Sequence, residues 1–202
     1  MKTKVIAYGC LAIFASFVFT SCATTTLTAV WRGESYAGPV KKMAVIGGSK
    51  KPVIRNLFED ECVRELRARG TDAVASYTVL SIDQLAEKET VQSKIRELGA
   101  DAVLMTRLVD MKSVQTYMPG QVYVMPNYYY GWSGYHGNVF ATPGYTFQDE
   151  YAFLETNVYD VKTEQLIWSA RSETWMSDGD QEMIKSFIGV IISRLSADKI
   201  IR

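Results

Sequence analysis

The sequence predicts one α/β domain of the α+β type, in which helices pack on a mixed β-sheet. Three observations predict this fold class. Short apolar runs closed by glycine alternate with helix-like segments in the first half of the chain. Two strand-like runs joined by a short polar turn follow, and the last segment is amphipathic. The domain is predicted to span residues 41–202, which is long enough to enclose its own core.

The first part of this domain has the predicted order β-α-β-α-β. The run KKMAVIGG predicts a buried strand, and Pro52 begins a helix that ends before Gly70. The run DAVASYTVL predicts a second strand, a capping box of Ser81 and Gln84 begins a helix that ends at Gly99, and DAVLMTRLVDM predicts a third strand. The apolar face of the first helix is formed by Ile54, Leu57, Phe58, Cys62 and Leu66. Parallel strands with right-handed crossovers are expected here.

The second part contains an aromatic insertion at residues 113–148, a β-hairpin and a final helix. The runs YAFLETNVYDV and QLIWSARSETW are joined by KTE, which is typical of a hairpin, and Trp168 and Trp175 are predicted to be core or sheet-face residues. Apolar residues at helical spacing then predict a C-terminal helix that covers the sheet. These residues are Ile184, Phe187, Ile188, Ile191, Ile192 and Leu195.

The amino-terminal residues predict secretion and lipid attachment. Two lysines precede an apolar run at residues 5–19, which is shorter than the roughly 20 residues of a membrane-spanning helix. The run ends in FTSC, which resembles the lipobox of bacterial lipoproteins. This resemblance implies a signal peptide at residues 1–21, lipid attachment at Cys22, and a lipidated polar tether and lead-in at residues 22–40. The alternative is an uncleaved anchor or an ordinary signal peptide cut nearby.

Alanine after that cysteine resembles lipoproteins sorted to the outer membrane, which implies a periplasm-facing protein if the host is Gram-negative. Processing at Cys22 would leave Cys62 as the only thiol and would exclude an intramolecular disulfide. Cys62 is predicted to be a buried packing residue of the first helix. Basic and acidic residues balance at 22 each without clusters, so no nucleic-acid partner is expected.

Four phrases resemble a family of small bacterial lipoproteins with no assigned molecular function: WRGESYAGPVKKMAVIGG, FEDECVRELRARGTDAVASYTVL, IRELGADAVLMTRLVD and VYDVKTEQLIWSARSETW. The element order is also similar to that of envelope accessory lipoproteins. These include the lipoprotein activators of penicillin-binding proteins, the curli secretion lipoprotein and the N-terminal domain of the Tol translocation protein. The resemblance implies an envelope location and a role in binding rather than catalysis, although a shared fold does not by itself fix function.

Motifs for catalysis, cofactors or metals are missing from the sequence. The loop GGSK lacks P-loop spacing and is interpreted as a plain strand-to-helix connection. The single histidine, His136, has no neighbouring acid, and there is no GxSxG, CxxC or HxxxH motif. The pairs Glu59–Asp60 and Asp149–Glu150 are interpreted as a solvated helix face and a loop edge. We therefore expect a non-enzymatic protein with no catalytic residue, cofactor or metal.

The insertion is the candidate binding segment. Between Ser113 and Gln148 it has no charged residue, whereas it contains Trp132 and seven of the twelve tyrosines. Its glycines and prolines predict a long loop or an irregular hairpin that extends the flanking strands. The candidate contact residues are Tyr128, Tyr129, Tyr130, Trp132 and Tyr135.

Three interpretations of the insertion stay open at this point. It is a mobile low-complexity spacer, a surface that binds an envelope protein, or a platform that binds a glycan such as peptidoglycan. Contact with the membrane headgroups, or with a second copy in a homo-oligomer, is compatible with each of them. The favoured hypothesis is a lipid-anchored accessory component that presents an aromatic loop to an envelope partner.

Overall fold

The computed structural model describes residues 24–33, 36, 38–125, 138–176 and 180–202. The described strands are β1 Thr25–Arg32, β2 Lys42–Gly47, β3 Asp72–Ala75, β4 Ala102–Met118, β5 Val122–Met125, β6 Asn138–Ala141, β7 Tyr145–Asp160 and β8 Leu166–Trp175. The described α-helices are α1 Pro52–Ala68, α2 Lys88–Glu97 and α3 Asp180–Ala197. Two 3₁₀ turns lie at Ser76–Thr78 and Asp83–Ala86.

Six strands form one mixed sheet in the order β1-β8-β7-β4-β2-β3, and β5 and β6 form a separate antiparallel pair. Strand β2 runs parallel to β3 and β4, and the other neighbours are antiparallel. The predicted fold class is therefore confirmed: a mixed sheet is built from β-α-β-α-β, a hairpin and a final helix. Among the described helices, none is long and apolar enough to cross a membrane.

The main core lies between one face of the sheet and helices α1 and α3. The predicted apolar faces of both helices are confirmed, since Phe58, Cys62 and Leu66 of α1 are buried, as are all six predicted residues of α3. Helix α2 packs on the opposite face over a smaller cluster that contains Ile95. Trp168 is a core residue whose Nε1 donates to Asp198 at 2.8 Å.

Two predicted elements are shorter in the structure. The capping box is present, because the backbone N–H of Ser81 donates to Gln84 Oε1 at 3.0 Å and that of Gln84 donates to Ser81 Oγ at 3.4 Å. It opens only the 3₁₀ turn, however, and α2 begins separately at Lys88. The second predicted strand stops at Ala75, because Ser76 and Tyr77 turn to donate hydrogen bonds to Glu59.

The segment assigned to a tether, residues 22–40, contains an edge strand. Its residues 25–32 form β1, which pairs antiparallel with β8, and the hydroxyls of Thr25 and Thr174 lie 2.9 Å apart in a buried bond. Leu27 and Val30 pack against the main core. The threonine-rich run is well suited to a strand because β-branched residues favour a half-buried pleated surface. The predicted signal peptide and Cys22 lie outside the described residues.

Candidate binding surface

Strands β4 and β7 continue past the end of the sheet as a two-stranded ribbon. Strand β2 ends opposite Thr106 of β4, and β8 ends opposite Tyr151 of β7. Beyond these points, residues 113–118 pair only with residues 145–150. At about 3.3 Å per residue, this ribbon, here called the arm, is roughly 20 Å long. The described part of the insertion therefore consists of antiparallel strands that extend β4 and β7, as expected for the hairpin, one of the two predicted forms.

The local sequence explains where the arm begins and ends. It contains β-branched and aromatic residues and only two charges, at its root. Pro119 cannot donate to a strand ladder, so pairing breaks there before β5 and β6 resume it. The backbones approach closely at this break, where a Cβ atom on Gly120 would overlap the carbonyl oxygen of Thr142. Only glycine fits this junction without a backbone shift.

The register divides the arm into two chemically different faces, because residues directly opposite each other share a face. One face pairs Ser113 with Glu150, Gln115 with Gln148, and Tyr117 with Thr146, and is polar apart from Tyr117. The other pairs Val114 with Asp149, Thr116 with Phe147, and Met118 with Tyr145. The latter face continues onto the body through the pairs Lys112–Tyr151, Asp110–Phe153 and Tyr151–Trp175. We call Val114, Met118, Tyr145, Phe147, Tyr151, Phe153 and Trp175 the aromatic face.

The aromatic face is open to solvent in the described structure. Tyr145 is 62% exposed, Phe147 38% and Trp175 42%. Val114 and Met118 of the same face are 47% and 43% exposed. Continuous apolar surface of this kind marks an interaction site more often than scattered apolar residues do. A two-stranded ribbon is also only marginally stable alone in water, so a bound partner would stabilise it.

Polar contacts hold some of these rings in place. The Nζ atom of Lys112 lies 4.8 Å from the centre of the Phe153 ring, which is a cation–π geometry. The indole Nε1 of Trp175 donates to Asp149 at 3.0 Å. Further along the arm, the rings of Tyr145 and Phe147 lie 6.2 Å apart and are tilted by 40°. The face therefore presents oriented rings rather than loose side chains.

An ion cluster borders the aromatic face on the same side of the sheet. Glu155 accepts from Asn157 at 3.1 Å, from Arg107 at 3.1 Å and from Arg171 at 3.3 Å. The hydrogen bonds from Asn157 and Arg107 lower the pKa of Glu155. The carboxylate is therefore held ionised between β4 and β8, which suits a cross-strand clamp and not a general acid.

The pair Glu59–Asp60, interpreted above as a solvated helix face, is only half solvated. Asp60 is exposed, but Glu59 is fully buried beside Arg55, which donates from Nε at 2.8 Å. Glu59 also accepts the backbone N–H groups of Gly47 and Tyr77, each at 2.9 Å. This carboxylate joins the end of β2, helix α1 and the turn after β3, so its role is structural. A helix-surface pattern could not reveal it, because its partners are remote in sequence.

The GGSK loop connects β2 to α1 directly. The backbone N–H of Gly48 donates to the carbonyl oxygen of Thr106 at 2.8 Å, and a Cβ atom at Gly48 would lie 2.6 Å from the same oxygen. Glycine is needed because β4 passes so close. This geometry accounts for the loop as a strand-to-helix connection.

The five predicted contact residues, Tyr128, Tyr129, Tyr130, Trp132 and Tyr135, lie outside the described residues. In the sequence they fall between β5 and β6. Among the described residues, the candidate surface is the aromatic face, to which the sequence analysis gives no role. The signal for it was the alternation in YTFQDEYAF, where Tyr145, Phe147, Tyr151 and Phe153 occupy one side of a strand at a period of two.

The arm and the amino-terminal chain leave the sheet at the same end of its strands. Thr25 pairs with Thr174, and the carbonyl of Thr24 accepts from the backbone N–H of Trp175 at 2.8 Å. Helices α1 and α3 also begin at this end of the sheet, since they follow β2 and β8. In the sequence only Ala23 separates Thr24 from Cys22, so the Cα atoms of Thr24 and Cys22 are at most about 7 Å apart.

No protein-family model matches the chain, and no curated protein matches it. Among solved structures, the chain is similar to the PelC dodecamer from Paraburkholderia phytofirmans, with 16% identity, a TM-score of 0.47, and coverage of 85% of this chain and 96% of PelC. It is also similar to the lipoprotein GNA1162 from Neisseria meningitidis, with 9% identity, a TM-score of 0.41, and coverage of 77% and 98%. These similarities describe the course of the chain only.

Proposed function

We propose that this protein is a lipid-anchored component of the cell envelope that works by binding a protein partner through the aromatic face of its arm. The carrying observation is the row of oriented rings on the aromatic face of a ribbon that, among the described strands, pairs with no third strand. The predicted leader and the lipobox-like FTSC support a location in the envelope, and the alanine after Cys22 supports the outer membrane facing the periplasm if the host is Gram-negative. The predicted contact residues between β5 and β6, which lie outside the described residues, are assigned to the same partner as part of this proposal.

The energetics favour a protein partner for this face. Full burial of an aromatic or large aliphatic side chain contributes about 1.5–3 kcal/mol, so a few such residues dominate an interface. Tyrosine and tryptophan combine large contact area with a polar tip and few rotatable bonds, which keeps the entropy cost of binding low. Beyond the two charges at its root, the arm has no charged side chain and adds little desolvation cost when it is covered.

The polar groups that the structure brings together support a non-enzymatic role. Glu59 is fully bonded and closed to solvent, and Glu155 is held between two arginines. Both arrangements fix strands and helices in place. We therefore assign the protein to the accessory, binding class.

The partner should lie at or in the same membrane as the anchor. Because the arm and the chain that leads to Cys22 leave the sheet at the same end of its strands, a lipid at Cys22 would bring the root of the arm close to the bilayer. The aromatic face would then meet membrane-proximal surfaces first. Tyrosine and tryptophan are favoured at that depth, which suits a partner located there.

In-cell photo-crosslinking tests this proposal. A benzophenone amino acid is placed at Phe147 on the aromatic face, and a matched probe at Gln148, the next residue, on the polar face. A second pair of probes at Trp132 and at Arg67, an exposed residue of α1, extends the test to the tyrosine-rich residues.

We expect one discrete heavier band from Phe147 and from Trp132, and none from Gln148 or Arg67. Equal bands from both faces, or no band, would contradict the proposal. A band at twice the chain mass would identify a second copy as the partner. Capture of the wild-type chain on isolated peptidoglycan, lost in Phe147→Ala, would assign the face to a glycan instead.

A further inference from the structure

A cavity of about 510 Å³ lies between helices α1 and α3 and the sheet. Ile54 and Phe58 of α1 and Met183 and Phe187 of α3 form its walls, and Leu154 of β7 lies on the sheet beneath. The volume is within the range of about 300–1,000 Å³ that is usual for small-molecule sites. It lies on the opposite side of the sheet from the aromatic face, so it is a separate site.

The cavity interior offers almost only apolar contacts. The two threonines that line it are already paired, Thr106 with Thr156 and Thr174 with Thr25, each at 2.9 Å between hydroxyl oxygens. Arg55, which also lines it, donates to Glu59 from Nε and to Ser76 from Nη2. The part of a ligand that enters the cavity therefore gains by being a hydrocarbon.

Methionines line the cavity as well, at positions 111, 176 and 183. Methionine side chains are flexible and polarisable and adapt to ligands of varying shape. Leu108 and Met111 are 51% and 50% exposed at the root of the arm, where they form part of the opening. An elongated flexible chain could thus enter from solvent without displacing the core.

The rim of the cavity is cationic. Lys50 and Lys51, both exposed, lie on the GGSK loop at the opening, and no acidic side chain lines the cavity among the described residues. We propose that this cavity binds an anionic single-chain lipid, with its acyl chain between α1 and α3 and its carboxylate at Lys50 and Lys51. A fatty acid is the simplest ligand of this chemistry. The site does not depend on the proposed function of the arm.

Calorimetric titration with fatty acids tests the site. The protein is the full mature chain with Cys22→Ser, produced behind a cleavable signal peptide, so that neither a lipid anchor nor detergent competes. The probes are octanoate, decanoate, dodecanoate and tetradecanoate, each below its micelle concentration. One binding site is expected, with the dissociation constant falling about fourfold per added methylene until the cavity is full.

Two variants separate the rim from the interior. Lys50→Glu with Lys51→Glu should weaken dodecanoate binding by about tenfold or more, because two attractive charges become repulsive. Lys88→Glu with Lys162→Glu makes the same charge change at exposed sites outside this cavity and should leave binding unchanged. Ala152→Phe should abolish binding by filling the interior, with cooperative thermal unfolding as the check that the variant is folded.

Absence of saturable binding to the Cys22→Ser chain would overturn the proposal. Binding that ignores both the Lys50/Lys51 and the Ala152 changes would also overturn it, because the ligand would then lie elsewhere. If dodecanol bound as tightly as dodecanoate, the site would recognise the chain alone. That outcome would refute an anionic ligand and favour the protein's own acyl chain as the occupant.

Discussion

The buried pair of Arg55 and Glu59 allows a quantitative test of what holds the domain together. Arg55 is 2% exposed and Glu59 is 0% exposed. Glu59→Ala would remove the acceptor for the guanidinium and for the backbone N–H groups of Gly47 and Tyr77. Removing one partner of a buried ion pair costs about 3–5 kcal/mol. At about 2–4 °C per kcal/mol for a domain of this size, the melting temperature should fall by about 6–20 °C.

The two partners should not be equivalent. If Arg55 is replaced by methionine, Glu59 keeps three donors: two backbone N–H groups and the hydroxyl of Ser76. If Glu59 is replaced by alanine, the guanidinium of Arg55 keeps one hydrogen-bond acceptor among the described residues, the hydroxyl of Ser76. Arg55→Met should therefore destabilise less than Glu59→Ala. The double variant should be less destabilised than the sum of the single ones, since the two residues interact directly.

Urea denaturation followed by far-UV circular dichroism measures these free energies of unfolding. Glu97→Ala is the matched control, because Glu97 pairs with Lys94 on the exposed surface of α2 and its loss should barely move the midpoint. A Glu59→Ala variant within about 1 kcal/mol of wild type would refute the argument, given the scale of about 3–5 kcal/mol. Greater damage from Arg55→Met than from Glu59→Ala would refute it too.

Three further predictions follow from single residues. Burial raises the pKa of the Cys62 thiol, so a thiol reagent should label the native protein slowly and find one thiol after denaturation; a second thiol would contradict lipid attachment at Cys22. Burial acts to raise the pKa of Asp198, but hydrogen bonds from Trp168 and Arg194 outweigh it and the pKa is lowered. The stability that this carboxylate contributes is therefore present above its unfolded pKa of about 3.9 and is lost as the pH falls through the lower folded value. The free energy of unfolding of Asp198→Asn, measured by urea titration, should depend less on pH between about pH 5 and 2. Gly120→Ala should disrupt the junction between the arm and the β5–β6 pair, which should abolish crosslinking from Trp132 without lowering the melting temperature; an unchanged crosslink would contradict the close approach at Gly120.

Local patterns predicted most of the fold because most of its elements carry their own signals. The apolar residues of α1 and α3 recur at helical spacing, and both faces are buried as predicted. The sheet order could not be predicted, because it depends on contacts between remote segments. Strand β1 shows this best: nothing in a threonine-rich run indicates that it will pair with β8, nearly 150 residues away in the chain.

The candidate site was predicted only in part, for a related reason. Composition marks the insertion at residues 113–148, and its densest tyrosines predict contact residues at positions 128–135. Only Tyr151 and Phe153 belong to the predicted hairpin strand, whereas Tyr145 and Phe147 belong to the predicted insertion, so the sequence analysis does not predict the face that the four residues share along β7. This face stays uncovered because helix α2, which packs on the same face of the sheet, is short and lies over β2 rather than over the arm. Burial of Glu59 likewise depends on tertiary contacts that a single helix does not encode.

The position of β1 has a mechanical consequence for the proposed lipid-anchored form. Many lipid-anchored proteins are attached by a long flexible linker, whose end-to-end distance grows with the square root of the number of residues. Here a single residue, Ala23, separates the lipid from Thr24, which is bonded to Trp175 and Ser186. The domain would therefore stay at a nearly constant distance from the bilayer surface and at a nearly constant angle to it. Encounters with a partner in the same membrane would become a two-dimensional search, in which a contact that is weak in solution is raised to high occupancy by effective concentration.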